Sequence, residues 1–218
     1  MRRIHLLFLL TLFLFSDLAR TSQLAVMVFN PQAWGDGHPP SDWQIKVNHG
    51  KPIISTCAAA DGSCLHLKSV KSSFALERDV DVDPYETRYL TWRWRVVELP
   101  AGGDFRNSWT DDQAAQVMVG FTDRHVLTYI WDTTAPKGTM QHASSIPLVH
   151  IFAVVCESGA MDVNRWLPET RDVAADYERA YGKPAPHVKG LRIQINSQHT
   201  GTTAESLIGE VVFRNKPE

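Results

Sequence analysis

The chain has 218 residues, with 22 Lys and Arg against 24 Asp and Glu, for a formal charge of −2 at neutral pH. Hydrophobic residues make up 44% and charged residues 21%, the proportions of a folded globular protein, which excludes wholesale disorder. The near-neutral balance also excludes the strongly basic surface that nucleic acid demands, so no nucleic-acid partner is expected.

Arg2 and Arg3 precede an apolar run over residues 4–15, the basic and hydrophobic regions of a secretory signal. Asp17 ends that run well short of the roughly 20 apolar residues that span a bilayer. The expected organisation is therefore a signal peptide over 1–22 and one β-sandwich domain over 23–218. The product is exported, periplasmic or extracellular, with no membrane span after signal removal. No clean small-x-small pair marks the cleavage site, which leaves an uncleaved anchor open. In an oxidising compartment Cys57 and Cys64, either side of the Asp61-Gly62 turn signal, are expected to pair as a disulfide across a hairpin. Cys156 is left over and reads as a buried thiol rather than a nucleophile. The Cys57/Cys64 gap does not match a redox or zinc spacing, and the 9 His are scattered, so no cofactor and no metal ligand are expected.

Short alternating or apolar runs separated by turn residues predict strands at 51–57, 63–69, 72–82, 88–98, 113–122, 125–132, 147–156, 188–196 and 206–214. One helix is predicted at about 168–182. Pro168 stands near its start, Val173, Tyr177 and Tyr181 form its stripe, and Gly182 and Pro184 end it. The fold class is mainly all-β, an antiparallel sandwich or jelly roll with one inserted helix. Alternation places Leu90, Trp92, Trp94 and Val96 on one face and Arg93 and Arg95 on the other. It places Leu191, Ile193 and Ile195 opposite Arg192, Gln194 and Asn196, and Val117 and Val119 opposite Gln116 and Met118. If those strands are neighbours, one sheet displays Arg93, Arg95, Gln116, Arg192, Gln194 and Asn196 on its outer surface. Tyr129 and Trp131 share a face with Leu127 and are expected in the core.

The hydrolase elbow, the phosphate-binding loop, the dinucleotide fingerprint and the His-Glu-x-x-His zinc pattern are all absent. Asp79, Asp81 and Asp83 alternate, but about 6 to 7 Å separates such residues along a strand, too far to enclose one cation. Asp111-Asp112 follow Trp109 in a Gly/Asn-rich loop. A carboxylate there either holds backbone N–H groups or Arg93 or Arg95, or binds sugar hydroxyls beside an aromatic platform. A glycosidase needs a second acid about 5 to 9 Å away. On the helix, Asp172 and Asp176 repel as i, i+4 neighbours, Arg179 is the nearby cation, and the charges, Arg171 included, read as a solvent face.

Taken in order, Trp92-Arg93-Trp94-Arg95-Val96, Asp111-Asp112-x-Ala114-Ala115, Tyr129-Ile130-Trp131 and Arg171-Asp172-Val173-x-x-Asp176-Tyr177-x-x-x-Tyr181-Gly182 form a series. Over residues 28–213 it resembles the bacterial exported family known only as domain of unknown function three-zero-four-seven. The resemblance implies an exported domain similar to galactose-binding jelly rolls and carries no established activity. Where that family has Asp-x-Asp-Asn-Thr and then Gly-Asp, this chain has Asn196-Ser197-Gln198-His199-Thr200 and Gly209-Glu210. The loss of acidic charge speaks against a cation, whereas Asn196 and Thr200 retain the capacity to cap a loop.

The expected function is non-catalytic binding of a carbohydrate or cell-envelope glycan, with Trp109, Asp112, Arg93, Arg95, Gln116, Arg192 and Gln194 as ligand-binding candidates. The jelly-roll resemblance, the 7 Trp and the polar sheet face motivate it. The alternatives are a glycan hydrolase using Asp111 or Asp112, and an envelope scaffold working by protein contact.

Overall fold

The computed structural model describes residues 24–35, 38–59, 62–143 and 149–217; the expected signal segment, Asp61 of the turn and the first residues of the 147–156 strand lie outside them. Among the described residues thirteen strands are formed: β1 (Ala25–Phe29), β2 (Gln44–His49), β3 (Ile53–Ala59), β4 (Gly62–Val70), β5 (Ser73–Val82), β6 (Tyr89–Glu98), β7 (Ala115–Phe121), β8 (His125–Asp132), β9 (Met140–His142), β10 (His150–Ser158), β11 (Leu167–Asp172), β12 (Val188–Asn196) and β13 (Thr203–Arg214). They build two layers. One has the order β11-β6-β13-β4-β3, with β1 continuing along β13 beyond the end of β4, and the other the order β2-β5-β12-β7-β8-β10-β9. The chain passes repeatedly from one layer to the other, as in a jelly roll. Among the described pairings only β8–β10 is parallel.

Period-two patterning sends one apolar set from each layer inward, and indole rings fill the gap. Trp92 and Trp94 of β6 meet edge-to-face at 5.3 Å; Trp92 then packs on Tyr129 and Trp94 on Trp131, both from β8. All four are buried. At one end Phe29, Trp34 and Trp43 form a second aromatic group, with centroids 5.2 to 6.2 Å apart. Cys57 and Cys64 are directly opposed in the β3–β4 hairpin and joined by a disulfide, and Cys156 is a buried free thiol.

The expected helix is present but shorter, α1 (Val173–Tyr181). Residues 167–172 are instead the edge strand β11, where the outer side of the ladder tolerates Pro168. Asp172 stops the strand and starts the helix: its carboxylate accepts the Ala175 N–H at 3.0 Å. Gly182, left-handed at φ 68°, closes the far end through its N–H to the Glu178 carbonyl. Asp176 is not on a solvent face. It is buried and held by Arg171 through two hydrogen bonds of 2.7 and 2.9 Å, while Arg179 instead reaches the Met140 sulfur.

The β11 edge seals the seam between the layers with inward polar groups. Glu169 accepts the Trp94 indole N–H at 3.2 Å and faces Glu157, which Lys137 holds at 2.5 Å. Burial, then the Glu157 charge, pushes the Glu169 carboxyl from 4.5 up to about 7. A raised acid binds its proton more tightly when folded, so its contribution is complete below about pH 4.5 and is lost as pH rises through 7. Stability is expected to fall by about 2 kcal/mol across that window, allowing for partial exposure. Glu169→Gln should flatten the profile; thermal unfolding followed from pH 4.5 to 8 checks it.

Candidate functional site

The same alternation that fills the core sends a second set of side chains to the outer surface of the seven-stranded layer. Register aligns them in rows across the strands. Gln44, Glu77, Arg192, Met118, Thr128 and Ala153 form one row, and Gln194, Gln116 and Ile130 lie in the next. A third passes through Asp79, Gly190, Gly120, Val126 and Ile151. Gly190 and Gly120 are paired with each other, and two neighbouring positions without side chains lower the surface there. These rows line a cleft of about 1000 Å³.

Its polar half is a connected network. Arg192 donates to Gln194 at 2.9 Å and to Glu77 at 3.1 Å. Burial lowers the Arg192 pKa, with the Glu77 charge opposing. Gln116 donates to the Asn196 side-chain oxygen at 2.8 Å, which also accepts the Gln113 N–H at 2.9 Å. Asn196 in turn donates to the Asp111 carbonyl at 2.7 Å. The Asn196 amide thus ties β12 to the 103–112 loop. Asp111 itself lines the cleft and accepts from Gln113 at 2.9 Å. Burial raises its carboxyl above the ordinary 3.8, with Gln113 opposing.

That loop is held from within. Asp104 binds Arg106 through both carboxylate oxygens at 2.6 and 2.8 Å, which brings its carboxyl down to about 2. The Asn107 side chain accepts the Trp109 N–H, and the Asp104 N–H reaches the Thr110 carbonyl. Gly103 packs so closely that a Cβ would stand 2.4 Å from the Asp112 carbonyl oxygen. Below, Asp132 accepts the N–H groups of Phe105, Thr134 and Ala135. On this frame Trp109 is 82% exposed, between Ser108 and Asp111, which line the cleft.

Residues 41–212 match the family described as Protein of unknown function (DUF3047). The chain belongs to this family. No curated protein matches it. Among solved structures it is similar to the xyloglucanase domain of NopAA, a type three effector from Sinorhizobium fredii, in complex with cellobiose: 8% identity, 84% of this chain and 98% of that one, TM-score 0.48. It is similar to endoglucanase cel12A from Rhodothermus marinus, at 9% identity over 91% and 100% of the two chains with a TM-score of 0.48. A third is the family 11 carbohydrate-binding module of a Clostridium thermocellum cellulase, at 8% identity over 87% and 93% with a TM-score of 0.42. At these identities and scores the likenesses assign neither ligand nor reaction to this family member.

The cleft brings together Gln116, Arg192, Gln194 and Asp111; Trp109 is not among its lining residues, although its neighbour Ser108 is. The cleft does not include Arg93 or Arg95. Both belong to β6 in the other layer, so the expected single polar face is divided between two sheets. Arg93 lies over the Trp166 ring at 5.0 Å and Arg95 donates to Asn164. Asp112 is also outside the cleft: fully buried, its carboxylate accepts the Thr200 N–H at 2.6 Å. It anchors the 197–202 turn. Asp81 pairs with His187 and Lys189, and the Asp83 carboxylate accepts the Tyr85 N–H. Glu77, His199 and the two cleft glycines were not candidates from the sequence. Glu77 was marked by its place beside inward Leu76, and the glycines by standing inside strands.

Proposed function

We propose that this is an exported, non-catalytic glycan-binding domain whose ligand lies in the cleft of the seven-stranded layer. The observation that carries the reading is the cluster of amide and guanidinium groups in the cleft, Gln116, Gln194 and Arg192, together with the exposed indole of Trp109 next in sequence to Ser108 of the lining. Hydrogen-bonding groups fixed in place serve sugar hydroxyls, and a preordered aromatic ring serves the apolar face of a pyranose. Five of the seven tryptophans are buried, which leaves Trp109 as the most exposed of them. Three of the four described acids that line the cleft are engaged within the protein: Asp42 by Arg78, Glu77 by Arg192 and Asp111 by Gln113. A disulfide, together with the lack of any described helix long and apolar enough to cross a membrane, is compatible with export.

Affinity electrophoresis through gels containing different soluble glycans tests the reading. At least one glycan should retard the protein, and Trp109→Ala should weaken that retardation about tenfold, the effect of losing one stacking aromatic. Arg192→Ala should weaken it as well. Free migration in every glycan gel overturns the reading, and unchanged binding by Trp109→Ala removes that ring from the site.

A further inference from the structure

The cleft has two chemically distinct halves. Across β5, β12 and the near end of β7 it presents Glu77, Arg192, Gln194, Gln116 and Asn196. Across β8 and β10 it presents Val126, Ile130, Ile151 and Ala153, continued by Ala143 and Val149. Among the described residues of that second half the single polar side chain is Thr128, whose hydroxyl is kept out of solvent. Ile130 and Ala153 are packed beneath Phe105 and Ala135, whereas Val126, Ile151, Ala143 and Val149 stay partly exposed along the cleft wall. Between the halves lies the depression over Gly190 and Gly120, where an added Cβ at either position meets nothing closer than 3.7 Å.

A chain of unsubstituted sugar rings matches this wall poorly. Among the described residues the only Trp, Tyr or Phe lining the cleft is Phe105, which is 2% exposed, so they give its interior no aromatic platform. A continuous aliphatic wall instead fits an aliphatic chain, whose burial is favourable in proportion to the area removed from water. Hydroxyls laid against it would lose their water and gain no partner.

We infer that the cleft takes a sugar carrying an aliphatic substituent, with the hydroxyls on Gln116, Gln194 and Arg192 and the chain over Gly120 along Val126 and Ile151. The inference rests on the glycan reading for its polar half and adds the apolar half to it. An acyl group esterified to a glycan and the chain of a glycolipid share this chemistry.

The test is calorimetric titration of the full chain with methyl, butyl and octyl β-glucosides and β-galactosides, below their micellar concentrations. Each buried methylene tightens binding about fourfold, so two or three buried carbons give at least tenfold from methyl to octyl. A plateau at butyl identifies a short acyl group, and a continued rise to octyl a lipid chain; both support the inference. Gly120→Leu fills the depression and should bring methyl and octyl glycosides to the same affinity. Val126→Thr, close to isosteric, should reduce the octyl-to-methyl ratio about threefold even if the leucine variant does not fold. Equal affinity for methyl and octyl glycosides overturns the inference and leaves the glycan reading standing. Octanol binding as tightly as the octyl glycosides overturns both, as does binding of none of these compounds.

Discussion

Trp94→Ala is expected to lower the unfolding free energy by about 3–5 kcal/mol, the usual cost of emptying a large aromatic site in a packed interior. Trp94 has no exposed surface and touches rings on both sides: Trp92 at 5.3 Å within its own layer and Trp131 at 6.1 Å across the interface. Its removal leaves a cavity between two rigid sheets that cannot collapse onto it. It also leaves Glu169 without the indole N–H that it accepts. Domains of this kind have only about 5–15 kcal/mol in reserve, so the loss is a large share of the whole. Urea unfolding followed by far-UV circular dichroism measures it. Trp109→Ala is the internal control, expected to shift stability by less than about 0.5 kcal/mol because its ring is solvated. Equal destabilisation by the two variants would refute the two-layer interior as described.

The second large effect is predicted at Asp176. Its carboxylate is bound by Arg171 through both oxygens and accepts the Tyr129 hydroxyl at 3.2 Å. Arg171 also lies over the Tyr129 ring at 5.7 Å, and the Asp176 contact holds its pKa further above the ordinary guanidinium value despite burial. Asp176→Ala strands a half-buried cation and removes the acceptor of a fully buried phenol. About 3 kcal/mol of stability should go with it. The double variant Arg171→Met with Asp176→Leu should recover more than half of that loss, since much of the cost belongs to the abandoned charge rather than to the missing contact. A double-mutant cycle in urea decides it: a double variant as unstable as the sum of the two single changes denies the pairing any coupling.

The sequence disclosed those elements whose chemistry repeats with a period of two over a whole strand. Trp92, Trp94, Ile193 and Ile195 could be assigned inward because charged or amide residues separate them. β2 gave no such signal, since most of it is exposed on both faces of an edge strand. β11 imitated a helix start, because Pro168 suits the edge of a sheet and the first turn of a helix equally well. The site divided along the same line. Gln116, Arg192 and Gln194 were found because alternation alone turns them outward. Arg93 and Arg95 alternate in the same manner, yet they reside in the other layer, and which strands become neighbours is decided by contacts far apart in the chain. Asp111 and Asp112 show the finest limit. Adjacent residues face opposite ways here, and the choice depends on the Thr200 N–H, 88 positions later.

The place of β13 has a kinetic consequence. This strand lies between β6 and β4, so residues 203–214 form the middle of the six-stranded layer and not its border. Until they have been synthesised, β4 and β6 have nothing to join them in that layer, although every strand of the other layer precedes residues 203–214 in the chain. Such long-range topologies fold on the millisecond-to-second scale rather than in microseconds. The Cys57–Cys64 link, spanning one of those hairpins, does nothing to shorten the search. The six-stranded layer therefore stays in two pieces, β3–β4 and β6–β11, until β13 joins them.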